Sequence, residues 1–348
     1  MHNAVRGKAI AGGAVWLFSL LLLAIAVPGL IVKKMPGHTG LEHAHPPQAA
    51  EAAQPDQPIM VPVYLTEAKK VVNIPLEEYV RGVLAAEVPA DFELEALKAQ
   101  AMAARTYVVK RMVEWDRSNV PVRDAVVTDS AIHQVFVGAD DLPNLWPASK
   151  ADANLDKLTR AVRETRDLIL TYDGRPINAT FFSTSNGYTE NSEDYWSDYT
   201  PYLRSVPSPW DARLSPRYKE TVSLDAGEVM RKLGVGALAP SQAGASGMKV
   251  LERTQGGRIK TISIGNRTFT GREVREKLGL NSTHFEWKWN GNRIEFTTYG
   301  YGHGVGMSQW GANGMAKEGK TAEEIVKHYY TGIDISHSSQ LLAVEIKK

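Results

Sequence analysis

The chain has 348 residues, 43% of them apolar and 23% charged, enough to bury a substantial core in one large or two modest domains. Its 40 Lys and Arg against 39 Asp and Glu leave a formal charge of +1, which excludes the polycationic signature of phosphate-backbone binding, so nucleic acid is not an expected partner. The absence of cysteine excludes disulfides, thiolate metal sites and a cysteine nucleophile.

Residues 1–8 form a short head, expected on the cytoplasmic side, and residues 9–32 run from Ala9 to Val32 without a charge between Arg6, Lys8 and Lys33-Lys34. That run is long enough to span a bilayer as a helix. The rival is a cleavable signal peptide, for which Ala24-Ile25-Ala26 supplies a small-residue cleavage pattern. Apolar residues continue past Ala26 to Val32, which favours an uncleaved single-pass anchor with the folded part outside the cytoplasm. Basic residues flank both ends, so charge gives little further orientation. Residues 33–58, rich in Pro, Ala and polar residues without a period, read as a flexible tether. The working domain is expected over 59–342.

It opens with strand-like segments in "IMVPVYLTEAKKVVNI", after which Pro75 stands where a first helical turn tolerates it. A helix is expected from about Leu76 to Val88. On it Leu76, Val80, Val83, Leu84 and Val88 recur at three- and four-residue steps and define an apolar face, while Glu77, Glu78 and Arg81 fall towards the wet side. Glu87 falls in the middle of the apolar face. Pro89 closes this helix, and Asp91 is a plausible cap for a second one along "FELEALKAQAMAARTYVVKRMVEW", whose apolar stripe runs through Leu94, Leu97, Ala101, Ala104, Val108 and Met112.

An acid held against apolar walls loses hydration in its charged form, so its pKa rises and it stays protonated nearer neutral pH. Glu87 is therefore a candidate general acid. Two plainer readings stand beside this one: a side chain that escapes to solvent at a frayed helix end, or a pair with Arg105 across the helix junction.

Further on, "TDSAIHQVFVG" (128–138) and "LILTYDGRPINATFFSTSNGYTENSEDYW" (168–196) alternate apolar and polar residues between turn residues and read as hairpin strands. The stretch "STSNGYTENSEDYW" is dense in hydroxyls, amides and aromatics, a mixture suited to a polar, flat-faced ligand such as a sugar. Residues of about 225–298 read helix, hairpin, helix, hairpin, a compact inserted lobe. In "GYGHGVGMSQWGANGMAKEG" (300–319) alternating glycines permit close backbone approaches, and the stretch reads as a tight loop carrying His303, followed by a helix from about Ser308. His303 is either a structural histidine or a cleft residue. The pattern matches neither nucleotide-binding glycine motif. The expected class is α+β: a transmembrane helix, then a helix-pair and β-hairpin domain with an inserted α/β lobe.

Together, "EEYVRGVLAAEVPADFELEALKAQAMAARTY", "STSNGYTENSEDYW", "PYLRSVPSPWD" and "GYGHGVGMSQWGANGMA" resemble the stage II sporulation protein D family, related to the amidase enhancers. The likeness covers roughly Ile59 to Leu342, four motifs in the right order. It implies a lytic transglycosylase that cuts peptidoglycan between N-acetylmuramic acid and N-acetylglucosamine, leaves 1,6-anhydro ends, prefers strands stripped of stem peptides and acts at the engulfing mother-cell membrane in sporulation. The family's catalytic glutamate falls on Glu87. One carboxylate suffices in such a reaction, because the muramic acid's own 6-hydroxyl attacks C1 and no water needs a second base; Asp129, Glu190, Glu193, Asp194 and Asp198 remain candidates for a hidden partner. The resemblance implies stage II sporulation proteins P and M as partners. Expected cleft residues beside Glu87 are Arg105, Ser185, Tyr188, His303, Ser308 and Gln309. Some family members hold zinc through a cysteine and a histidine in the segment matching "TDSAIHQVF"; this chain has His133 but no cysteine, so no metal or other cofactor is expected. The alternative function is a non-catalytic, glycan-binding activator of a cell-wall amidase.

Overall fold

In the computed structural model, residues 58–196, 198–236 and 247–345 are described. The expected head, apolar anchor and all but the last residue of the tether lie outside them, and among the described residues no helix is long and apolar enough to cross a membrane. The architecture is mixed α+β.

Strands β1 (Met60–Leu65) and β2 (Lys70–Pro75) form an antiparallel hairpin in register Val63↔Val72. Pro75 ends it and, at φ −53°, leads directly into α1 (Leu76–Glu87), whose start loses nothing by the missing N–H. Val88 is already extended, at φ −132°, because Pro89 disfavours a helical residue before it; Glu87 is thus the last residue of α1. Leu76, Tyr79, Val80, Val83 and Leu84 are at most 3% exposed, each burial stabilising by about 1.5–3 kcal/mol.

Helix α2 (Leu94–Val113) starts after Glu93, without the Asp91 cap that the sequence suggests; the Glu93 N–H instead donates to Asn313 Oδ1 at 2.8 Å. Nor is its burial confined to one stripe. Ala96, Ala99, Ala101, Ala103 and Ala104 are all at most 2% exposed, so small side chains let neighbours pack around most of its circumference.

Strand β3 (Val127–Thr128) joins β1 in parallel, and the chain then leaves the sheet. The alternation over 128–138 is therefore not a hairpin. The loop's amides bond to itself and to a helix, Phe136 N–H to Asp129 O at 3.2 Å and Val137 N–H to Gly82 O at 3.4 Å. After α3 (Ala148–Glu164) come β4 (Leu168–Tyr172), β5 (Arg175–Pro176) and β6 (Phe181–Phe182), far shorter strands than the pattern over 168–196 suggests. Most of that stretch is irregular, broken by α4 (Ser192–Tyr195), and α5 (Asp211–Leu214) follows it.

From β7 (Lys219–Asp225) the chain runs through α6 (Ala226–Leu233), β8 (Met248–Arg253), β9 (Ile259–Ile264), β10 (Arg267–Thr270), α7 (Gly271–Leu278), β11 (Phe285–Asn290) and β12 (Arg293–Tyr299). Two antiparallel sheets, in orders β10-β9-β8 and β11-β12-β7, close over a core of their own that includes Ile262, Ile264, Val274, Phe285, Ile294 and Phe296. The glycine-rich segment then returns to the main body, where β13 (Met307–Ser308) pairs in parallel with β6. Helices α8 (Gln309–Lys317) and α9 (Ala322–Tyr329), strand β14 (Asp334–His337) antiparallel to β4, and α10 (Ser338–Glu345) complete the described chain.

Candidate functional site

Glu87 is half-buried at the end of α1, and the loop after β3 lies across it. The Val135 N–H donates to Glu87 Oε1 at 3.0 Å. Burial pushes the carboxyl above the ordinary glutamate range, with the Val135 amide opposing the shift by stabilising the charged form. Three contacts hold the loop in place. Tyr79 donates its hydroxyl to Gln134 Oε1 at 3.2 Å, Tyr79 and Phe136 stack at 5.4 Å, and Phe136 presses on Gly82, where any Cβ would meet its ring and the Val137 carbonyl at 2.4 Å. The glycine in "YVRGV" is thus what lets the loop reach the acid. Ile132 and Val135 are 64% and 36% exposed, which gives the acid's loop an apolar outer surface. Chemically, such a carboxyl can donate a proton to a leaving oxygen and afterwards take one back.

The same loop settles His133. Its Nε2 faces the Ser118 carbonyl at 3.1 Å, which can only accept, so that nitrogen carries the proton and Nδ1 accepts the Thr128 N–H at 3.1 Å. Burial lowers its pKa, and the bond to the Ser118 carbonyl opposes that shift. With both nitrogens engaged and no cysteine in the chain, these residues do not fit a zinc site; among the described residues no group of three or more His, Asp or Glu is placed to hold a metal.

The other expected cleft residues fall into separate places. Arg105 is fully buried and forks onto Glu77, with Nε to Oε1 at 3.1 Å and Nη2 to Oε2 at 2.6 Å, while Nη1 donates to the Leu168 carbonyl. It therefore does not pair with Glu87; its partner is Glu77, whose side chain stays 29% exposed. Ser185 and Ser308, both fully buried, converge instead on Asp211, a residue that the sequence reading passed over. Ser208 donates to the same carboxylate at 2.7 Å and meets the Tyr329 hydroxyl at 2.8 Å. Burial raises the Asp211 pKa and these hydroxyls oppose it. Ser308 also caps α8, and Gln309 beside it is 7% exposed. Tyr188 is 50% exposed, on the strand-like bridge to Pro207.

His303 sits in the glycine loop among Phe182, Tyr195 and Trp196, with ring centres 5.6, 5.9 and 5.1 Å away. It donates from Nε2 to the Phe181 carbonyl at 3.0 Å and accepts the Val305 N–H on Nδ1 at 3.1 Å. Burial, with Arg275 and Arg258 nearby, lowers its pKa to about 3, so the ring is neutral, with both nitrogens engaged by the backbone. Gly304 next to it, at φ 91°, lies where a Cβ would strike the Arg258 guanidinium at 2.7 Å. None of the candidate partner carboxylates bonds to Glu87: Asp129 accepts from Thr66, Glu193 from Arg204, Asp194 pairs with Lys260, Glu190 with Arg258, and the bond made through Asp198 uses its backbone carbonyl.

Residues 64–172 match the family described as "SpoIID: Stage II sporulation protein". Stage II sporulation protein D of Bacillus amyloliquefaciens is 46% identical over 329 residues, 94% of this chain and 94% of that protein. Its namesake in Bacillus subtilis (strain 168) is 51% identical over 285 residues, 82% of this chain and 81% of that protein. The chain belongs to the stage II sporulation protein D family. It is therefore a member of a family of sporulation proteins. A protein named amidase enhancer in Bacillus subtilis (strain 168) is 31% identical over 74% of this chain and 40% of its own length. The segment matched by the stage II sporulation protein family holds α1, α2 and the loop over Glu87, together with Arg105 and His133, but ends before the Asp211 cluster and the glycine loop.

Proposed function

We propose that this member of the stage II sporulation protein D family is a membrane-anchored lytic transglycosylase that cleaves peptidoglycan strands denuded of stem peptides, with Glu87 as acid and then base. The observation that carries the reading is the half-buried Glu87, its pKa raised by burial and its carboxyl held by the Val135 amide. Protonated, it donates to the glycosidic oxygen as the bond to C1 of N-acetylmuramic acid breaks. The carboxylate so formed then accepts the proton of that sugar's 6-hydroxyl as the oxygen closes on C1. Bonds and protons balance without water, a second carboxylate or a metal. Residues 9–32 would hold the enzyme at the engulfing membrane with its domain outside the cytoplasm, where stage II sporulation proteins P and M are the expected partners.

A second reading draws on the likeness to the amidase enhancer: a glycan-binding activator that leaves bond cleavage to an amidase. Digestion of denuded glycan by the full-length protein and by Glu87→Gln separates the two. Loss of the transferable proton should lower cleavage by about 10² to 10⁴ while the circular dichroism stays unchanged. A Glu87→Gln protein as active as the parent would remove Glu87 from the chemistry, and a parent that cleaves nothing would favour the activator.

A further inference from the structure

Val135 holds Glu87 by a main-chain atom, so what fixes that amide lies in its neighbours. The N–H belongs to the peptide that joins Gln134 to Val135, and the residues on either side of Val135 turn inward while Val135 itself is 36% exposed. Gln134 and Phe136 are buried, whereas Ala131 and Ile132 before them face solvent. Both inward side chains end on Tyr79. Its hydroxyl donates to Gln134 Oε1 at 3.2 Å, and its ring stacks on Phe136 at 5.4 Å with the planes 14° apart. Tyr79 is fully buried about two turns before Glu87 on α1, so the acid and the group that grips its loop share one helix. Burial raises the Tyr79 pKa, which keeps the hydroxyl a donor.

This grip decides which oxygen of Glu87 can act. Oε1 accepts the Val135 N–H, while Oε2 has no hydrogen bond among the described residues and is not enclosed. In a neutral carboxyl the carbonyl oxygen is the stronger acceptor, so an amide on Oε1 leaves the proton on Oε2, the oxygen open to solvent. Gln134 is not the most stabilising side chain for its place. Its Nε2 is buried without a partner among the described residues, a cost that an apolar side chain of similar length avoids.

We propose that Tyr79 and Gln134 are positioning residues for the acid: through the Gln134–Val135 peptide they hold Glu87 Oε1, so that Oε2 presents the proton to the glycosidic oxygen. The proposal rests on the glycan-cleaving reading above for its reaction. It adds to that reading two residues too buried to touch a substrate.

The full-length protein in detergent, acting on denuded glycan, tests it with Tyr79→Phe, Gln134→Met and the two together. Each single variant leaves one partner buried and unpaired and should lose stability; the double variant removes both polar groups and keeps both shapes, so its urea midpoint should stay close to the parent's. Its kcat should nevertheless fall about tenfold with KM unchanged, because the carboxyl is no longer fixed towards the leaving oxygen. The Val135 bond stabilises the charged form, so loosening it should also move the basic limb of the kcat/KM profile up by about half a pH unit or more. A merely structural fault lowers the rate at every pH and leaves the limb in place. Carbodiimide coupling of Glu87, followed against pH by peptide mass spectrometry with exposed glutamates as the internal reference, reads the same shift without needing activity. The parent's kcat and limb in the double variant, or a slower double variant whose limb and coupling midpoint stay at the parent values, would overturn the proposal. A raised coupling midpoint in the double variant when the parent cleaves nothing sinks only the catalysis, and Glu87-dependent cleavage with the parent profile in all three variants sinks only the positioning.

Discussion

Glu87 and Glu190 are both glutamates whose pKa burial raises, yet they are built in opposite ways. Glu87 ends a helix, half-buried, steadied by one backbone amide from a loop with an exposed apolar surface. Glu190 lies 2% exposed where the main body meets the lobe, beside a guanidinium that is itself 1% exposed. The comparison separates two uses of desolvation. Partial burial raises the acid's pKa against the pull of one backbone amide yet leaves the carboxyl within reach of a substrate. Full burial beside a cation makes the acid part of what holds two pieces of the protein together.

Exchanging the two residues breaks the comparison most sharply. At about pH 8, where Glu190 is ionised, Glu190→Ala leaves Arg258 as an uncompensated buried charge and should cost about 3–5 kcal/mol of unfolding free energy, whereas Glu87→Gln should leave the urea midpoint unchanged or slightly higher. Equal losses in both variants would show that Glu87 too is mainly structural.

The pH dependence of stability sharpens the contrast. Burial raises Glu190 to about 7, against about 4.3 in an unfolded chain, so between those values the native state holds a proton that the unfolded state has released. Stability therefore falls as pH rises through that window, by up to about 1.4 kcal/mol per unit. His303 and His284, lowered to about 3 and about 4, act with the opposite sign: the unfolded state takes up protons first, so stability rises with pH up to about 6.5. In the wild type the glutamate slope offsets part of the rise that the two histidines give. In Glu190→Gln that offset is gone, and the urea midpoint should climb more steeply between about pH 4.5 and 6.5 than in the parent. Parallel curves would mean that Glu190 is ionised throughout the window.

A smaller effect concerns Arg105. Lysine cannot reproduce its fork on Glu77 or keep the Leu168 and Val162 carbonyls bonded, so Arg105→Lys should cost about 1–3 kcal/mol while KM for denuded glycan stays at the parent value. A raised KM at unchanged stability would return Arg105 to the cleft.

These contrasts also mark how far the sequence could be read. The position of Glu87 on an apolar face was legible because Leu76, Val80, Val83 and Leu84 keep helical spacing and Pro89 fixes where α1 stops. The loop over Glu87 was not, since the alternation in 128–138 is the same whether the amides meet a strand or, as here, the Gly82 carbonyl and the Glu87 carboxylate. The partner of Arg105 was equally hidden. Glu77 and Glu87 sit on the same helix, and only the offset between α1 and α2 decides which of them the guanidinium reaches. Asp211 left little trace because its donors come from Ser185, Ser208 and Ser308, which the fold gathers from three distant segments. His303 was found as a feature of the glycine loop, but its two backbone bonds, which take up both ring nitrogens, follow from the β6–β13 pairing and not from its neighbours in sequence.

The central claim is that a single desolvated carboxyl suffices because the attacking hydroxyl belongs to the sugar. Mass spectrometry of the ends left on denuded glycan by the full-length protein tests this most directly. Ends that are 1,6-anhydro-N-acetylmuramic acid, absent from the Glu87→Gln digest, are the predicted result. Reducing ends that have gained a water would contradict the intramolecular attack and require a water-activating base in addition to Glu87.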